Sequence, residues 1–229
     1  MVTRMILSWQ QIPSPLVSEL LCISSKGVVL DTEHGWYNNE TLFSCIQVIK
    51  SKNKLCLVRL TDVDKKSIRY CLDSGVDGII FSTIESAEQC KKIIDYCFYA
   101  PKGKRGLGLV RQNMWGCEDL IKDNPIIIPQ IETKEGINNI EKIFSFGFDF
   151  YLIGPYDLSM SVGEPGNFEN DDFCLQIEKF NDIIPEEKRA IHIPNDVKAN
   201  IKRYKNYGIK CLGMDTVSII EYHREVNKC

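Results

Sequence analysis

The chain has 229 residues, 44% apolar and 26% charged, a balance that excludes wholesale disorder and collagen-like or low-complexity architecture. Lys and Arg number 28 against 31 Asp and Glu, and without a dense basic run this weakly acidic chain is a poor nucleic-acid binder. No apolar stretch reaches the roughly 18 residues of a membrane span, and Met1 to Trp9 is too short and polar for a signal peptide. The expected location is therefore the cytoplasm.

In chain order, short apolar runs alternate with amphipathic stretches. The spacing predicts strands at Met5–Ser8, Gly27–Asp31, Lys54–Leu60, Asp77–Phe81, Pro125–Ile131, Phe148–Ile153, Arg189–Ile193 and Ile209–Met214. The runs are continuous rather than alternating, the pattern of parallel strands buried on both faces. After the second strand, Leu42, Cys45, Ile46 and Ile49 recur at helical spacing. After the third, Asp64 is positioned to cap a helix carrying Ile68, Cys71 and Leu72. Further helices are predicted at Ser86–Phe98, Gly136–Phe146, Asp171–Ile183, Asn195–Tyr207 and Thr216–Val226. Gly27, Gly75, Gly147 and Gly208 each precede an apolar run, where glycine serves as a left-handed helix cap.

Eight strands alternating with helices predict an α/β fold of the (β/α)8 TIM-barrel type, at the short end of its size range, with residues 1–229 as one domain. A doubly wound open sheet is the structural rival. The ten cysteines include no C-x₂₋₄-C pair, and most lie within apolar patterns. They read as small buried hydrophobes rather than a zinc or redox motif. The long connection Ala100–Asn124 carries Lys102, Lys104, Arg105 and Arg111 among four glycines. It reads equally as a solvated loop or as a basic lid or subunit contact.

In a barrel, chemistry sits where the strands end. Those ends here are Asp31-Thr-Glu33-His34, Arg59, Ser82-Thr83, Gln130-Ile-Glu132, Gly154-Pro155-Tyr156-Asp157, His192 and Asp215. Glu132 and Asp157 come from adjacent strands and supply the hard oxygen donors that Mg²⁺ or Mn²⁺ prefers. None of these ends carries a lysine, which argues against Schiff-base chemistry. Arg59, ending a buried strand, needs an anion. That anion is either a substrate oxygen or a structural partner, Asp31 or Glu33. His34, three residues after Asp31, suits proton transfer, and an Asp–His pair would set its tautomer. His192 is divided between pocket wall and substrate contact.

The segments DTEHG (31–35), VRL (58–60), LDSGVDGIIF (72–81), PKGKRGLGLVR (101–111), PQIETKEGINNI (129–140), IGPYDLSMSVG (153–163) and GMD (213–215) resemble the HpcH/HpaI aldolase family of the phosphoenolpyruvate/pyruvate barrel superfamily. The resemblance implies a metal-dependent aldolase that cleaves 4-hydroxy-2-oxo acids to an aldehyde through a pyruvate enolate. It implies that Glu132 and Asp157 hold Mg²⁺ or Mn²⁺, with Co²⁺ a further option. Gln130, Arg59 and the backbone at Gly154, Pro155 and Tyr156 would bind the pyruvate moiety, and His34 with Asp31 would handle protons through water. The family implies a homo-oligomer, from dimer to hexamer, that exchanges its last helix. This chain departs from the family's pattern at Ser82, where proline is usual, at His192, and in its trimmed ends. Two other functions fit the same elements: an acyl-CoA lyase of the citramalyl or malyl type, and a non-catalytic barrel binding a sugar precursor or partner.

Overall fold

The structure, a computed structural model, describes residues 5–121 and 124–227. Met1 to Arg4, Lys228, Cys229 and two residues of the long connection lie outside the described residues.

Eight strands form one closed, all-parallel barrel: β1 (Met5–Gln10), β2 (Gly27–Asp31), β3 (Leu55–Leu60), β4 (Gly78–Phe81), β5 (Ile126–Ile131), β6 (Tyr151–Ile153), β7 (Arg189–Ile193) and β8 (Ile209–Leu212). Ten α-helices join them among the described residues: α1 (Pro15–Ser24), α2 (Asn39–Ser51), α3 (Lys65–Asp73), α4 (Ala87–Cys97), α5 (Lys134–Asn138), α6 (Ile140–Phe144), α7 (Pro155–Ser161), α8 (Asp171–Ile183), α9 (Val197–Arg203) and α10 (Asp215–Val226). The predicted (β/α)8 barrel is the observed fold. Asp64 caps α3 as expected, its Oδ2 accepting from the Ser67 N–H at 2.8 Å.

Three local expectations differ. The helix predicted over Gly136–Phe146 is two short helices, broken at Asn139 with ψ near 7°. The stretch after Gly154, where no helix is predicted, is α7, with Pro155 in the first-turn position proline tolerates. Gly75 and Gly147 are left-handed caps at φ 88° and 71°, whereas Gly27 and Gly208 have no positive φ. At Gly27 the reason for glycine is close approach. A Cβ there would collide with the Leu55 carbonyl oxygen and lie 2.6 Å from Leu55 Cβ, its partner in register.

Alternation along the strands produces two apolar layers. Val28, Leu30, Cys56, Val58, Ile79, Phe81, Ile127, Ile153 and Ile191 face the helices. Leu7, Trp9, Val29, Leu57, Ile80, Ile128, Leu152, Ala190 and Cys211 fill the barrel. Seven cysteines are buried, and the nine in described residues are free of disulfides. Burial pushes the thiols of Cys71, Cys90, Cys97 and Cys211 up to about 12. They behave as the packing residues the sequence suggested. Among the described residues, no helix is long and apolar enough to cross a membrane.

The connection before β5 packs beside α3. Arg105 is buried, donating from Nη2 to Asp73 Oδ1 at 2.8 Å and to Gln112 Oε1 at 2.6 Å. Arg111 donates to the Ser74 carbonyl at 3.1 Å. The segment is thus tied down rather than freely solvated. With α2 and α3 it borders a cavity of about 1420 Å³ that none of Arg59, Gln130, Glu132 and Asp157 lines.

Gly27→Ala is expected to cost about 1–3 kcal/mol, the usual penalty of overpacking. Thermal denaturation checks it: the midpoint should fall by several degrees. An unchanged midpoint would show that β2 and β3 can part without cost.

Candidate active site

The site grows out of the filled barrel by simple parity. Asp31 follows Val29 by two residues, Arg59 follows Leu57, Gln130 follows Ile128, and His192 follows Ala190. Each therefore points inward, one layer above the apolar filling. A buried polar layer must satisfy itself, and here it divides into two groups.

The first group is centred on Arg59, which is only 3% exposed. Asp31 and Arg59 are partners in register on β2 and β3. Arg59 donates from Nε to Asp31 Oδ1 at 2.9 Å and from Nη2 to Oδ2 at 2.7 Å, a bidentate pair. Its Nη1 lies 2.8 Å from Glu33 Oε2. Trp9 lies 4.8 Å below the guanidinium carbon and donates from its indole to Asp31 Oδ2 at 3.1 Å. Burial pushes the Asp31 carboxyl up, but the hydrogen bond and charge of Arg59, then the Trp9 bond, outweigh it and leave it at about 2. Asp31 is thus a permanent anion that neutralises a permanent cation.

This arrangement changes the expected role of Asp31. Its Oδ1 accepts the main-chain N–H groups of Glu33 and His34, at 3.1 and 3.3 Å, and none of its hydrogen bonds goes to the imidazole of His34. The Asp31–His34 side-chain pair expected from sequence is replaced by the Asp31–Arg59 pair, because Arg59 is the in-register neighbour. His34 itself is exposed at the mouth. His192 is buried, stacks on Trp9 with ring centres 4.0 Å apart, and pairs its Nε2 with the Gly213 carbonyl at 3.2 Å. Burial, then the charge of Arg59, hold its pKa down at about 3. At neutral pH it is an uncharged wall of the site.

The second group is centred on Glu132, which is 2% exposed. Its Oε1 accepts from the Thr83 N–H at 2.7 Å and from Thr83 Oγ1 at 2.8 Å, while Oε2 accepts from Gln130 Nε2. Extending the β5–β6 register by one residue sets Glu132 beside Gly154. A Cβ on Gly154 would collide with Glu132 Oε2 and lie 2.7 Å from Gln130 Nε2, so glycine is required by close approach. Asp157 is exposed in the first turn of α7. Burial, then the charge of Asp157, raise Glu132 against the Thr83 hydrogen bonds to about 7. Pro155 is buried, and Tyr156, exposed above it, accepts at its hydroxyl from Asn195 Nδ2 at 2.7 Å.

Among the described residues no three His, Cys, Asp or Glu side chains converge as a closed metal cage. The buried carboxyl of Glu132 and the exposed one of Asp157 are the hard oxygen donors a divalent cation takes, and Mg²⁺ sites commonly use one or two carboxylates plus ligand oxygens and water. Gln130 Oε1 is buried without a partner, an acceptor left for a water or a bound molecule.

Trp9, Gln11, Glu33 and Thr83 also build the site. Gln11 donates to Asp31 at 3.3 Å, and Asp215, an expected strand-end acid, instead accepts the Gln11 and Ile12 N–H groups at 2.9 and 3.0 Å. Trp9 lies one residue beyond the strand predicted at Met5–Ser8, and β1 in fact runs to Gln10; inward parity with Leu7 was the available signal.

A closed parallel barrel with carboxylates, an arginine and an amide gathered at one end has the arrangement of a barrel enzyme's active-site face. Comparison with known proteins agrees. The family model described as HpcH/HpaI aldolase/citrate lyase matches residues 15–219. A 4-hydroxy-2-oxo-heptane-1,7-dioate aldolase of Klebsiella pneumoniae subsp. pneumoniae is 30% identical, over 91% of this chain and 82% of its own length. A hydroxypyruvate/pyruvate aldolase of Roseovarius nubinhibens is 26% identical, over 95% and 88%. The crystal structure of an HpcH/HpaI aldolase/citrate lyase family protein from Burkholderia cenocepacia superposes with a TM-score of 0.90 at 20% identity, covering 99% of this chain and 94% of that one. The chain belongs to the HpcH/HpaI aldolase/citrate lyase family and is an enzyme of the aldolase/lyase type.

The raised Glu132 carboxyl has a measurable consequence in metal-free protein. A group with folded pKa above its ordinary 4.5 contributes stability that is complete below 4.5 and lost as pH rises through about 7. Relative to Glu132→Gln, metal-free wild type should therefore lose stability between pH 4.5 and 7. Denaturant unfolding across that window checks it; a pH-independent difference would mean Glu132 titrates normally.

Proposed function

We propose that this chain is a divalent-cation-dependent aldolase that breaks and forms the C3–C4 bond of 4-hydroxy-2-oxo acids, with pyruvate as the enolate partner, in the cytoplasm. The observation that carries the reading is the juxtaposition of Glu132 and Asp157 on one side of the mouth with Arg59 on the other. Burial lowers the Arg59 pKa, but the Asp31 hydrogen bond and the charges of Asp31, Glu33 and Glu132 together raise it, so Glu132 is within electrostatic reach of Arg59.

Glu132 and Asp157 would hold Mg²⁺, Mn²⁺ or Co²⁺, and the cation would polarise the 2-oxo carbonyl as a Lewis acid. Gln130 and the backbone at Gly154, Pro155 and Tyr156 would seat the pyruvate moiety. His34, through water, takes the proton of the 4-hydroxyl as the C3–C4 bond breaks and the aldehyde leaves. The electron pair of that bond passes into the enolate, whose oxygen would be met by the guanidinium of Arg59 as a hydrogen-bond donor. Protonation at C3 then releases pyruvate. Arg59 arrives already oriented by Asp31 and Glu33, so little reorganisation accompanies the charge that develops.

We also propose a homo-oligomer. α1 exposes Leu16, Leu20 and Ile23, and α10 exposes Ile219, Ile220 and Tyr222, apolar faces that a second copy of the chain would cover.

Pyruvate release from 4-hydroxy-2-oxo acids, followed with a coupled dehydrogenase, tests the reaction. Chelation should abolish it, Mn²⁺ should restore it, and Glu132→Gln should not recover. Turnover that survives exhaustive chelation would sink the cation-dependent reading.

His34→Gln is expected to lower turnover by about 10²–10⁴, the usual range for a general acid–base group. Mn²⁺ affinity should stay unchanged, since His34 is not a ligand. Wild-type turnover in His34→Gln would move the proton transfer to another group.

A further inference from the structure

The end of β4 carries two consecutive hydroxyls, and each is committed to a different carboxylate. Ser82 is buried and donates from Oγ to Glu33 Oε2 at 2.6 Å, the same oxygen that pairs with Arg59. Thr83 donates its N–H and its hydroxyl to a single oxygen, Glu132 Oε1. Neighbouring residues of a strand point to opposite faces. Here both reach the site because β4 has ended at Phe81 and Thr83 turns into the left-handed region at φ 51°.

A β-branched residue at positive φ is a genuine outlier. Glycine would take the same turn without steric cost and would still supply the N–H. What threonine adds is the hydroxyl, and its whole hydrogen bond goes to Glu132. A carboxylate oxygen has two in-plane lone pairs. Two donors from Thr83 fill those of Oε1. Oε2 accepts one bond, from Gln130, packs against Gly154, and keeps its second lone pair without a hydrogen-bond donor.

We infer that Ser82 and Thr83 are a positioning pair: Thr83 saturates Oε1 so that Glu132 meets a cation through Oε2 alone, and Ser82 holds Glu33 against Arg59. The inference rests on Glu132 and Asp157 being the cation's ligands. It assigns the two residues different consequences. Thr83 governs how tightly the cation is held. Ser82 governs the anion-facing side, hence the KM for the 2-oxo acid.

Mn²⁺ binding, read from the free-ion electron paramagnetic resonance signal, tests this together with thermal midpoints and steady-state kinetics. Thr83→Val keeps the side-chain shape and loses the hydroxyl. It should weaken Mn²⁺ binding by about 10–100-fold, the range seen when partners of metal ligands are removed. Thr83→Gly should weaken it similarly without lowering the thermal midpoint, since it relieves the left-handed turn, and it carries the comparison if the valine variant does not fold. Thr83→Ser should restore affinity to within about threefold, the hydroxyl being back in place. Ser82→Ala should raise KM several-fold with Mn²⁺ affinity unchanged. Wild-type Mn²⁺ affinity in both Thr83→Val and Thr83→Gly, or no rescue by serine, would overturn the role of Thr83. An unaltered KM in Ser82→Ala would overturn that of Ser82. Absence of Mn²⁺ binding by the wild type would overturn the ligand assignment itself, before any variant is compared.

Discussion

The molecule places a guanidinium inside the top of its own barrel, and the surroundings follow from the need to neutralise it. A buried, unpaired charge would cost several kcal/mol. Arg59 is therefore met by Asp31 in register, by Glu33 from the loop that follows, and by the face of Trp9 from β1. These contacts recruit strands β1, β2 and β3 into one unit. His192 completes it by stacking on Trp9, where burial and then the nearby cation keep it uncharged.

Across the mouth the charge problem has the opposite sign. Glu132 is buried, repelled by Asp157 and Glu33, and lacks a cationic side chain of its own among its hydrogen-bond partners. Neutral donors from Thr83 and Gln130 orient it without neutralising it. The site is thus a satisfied ion pair facing an unsatisfied carboxylate pair. That asymmetry is what the proposed cation, held by the two carboxylates, would relieve.

Much of this was legible in the sequence because strand alternation has a strict period. Continuous apolar runs marked the strands, and the inward parity of Asp31, Arg59, Gln130 and Glu132 follows from that of Val29, Leu57 and Ile128. For Asp31 the sequence left two partners open, His34 at three residues' distance and Arg59 at 28, and only the register of β2 and β3 decides for Arg59. The left-handed turn at Thr83 was hidden, since threonine is a poor marker for positive φ. The break between α5 and α6 and the existence of α7 escaped, because five to seven residues carry too little periodicity to separate from turns.

The seam between β1 and β8 has a bearing on biosynthesis. Met5 pairs with Ile209 and Ser8 with Leu212, and Asp215 clasps the N–H groups of Gln11 and Ile12. These contacts span more than 200 residues, so on a ribosome adding about 5–20 residues per second the first strand waits roughly 10–40 s for its second neighbour. Until then a nascent chain with β1 through β7 assembled is an open sheet with two unpaired edges. Trp9, on the waiting edge, is also the platform for Arg59 and His192. Closure of the barrel and completion of the active site are therefore the same late event.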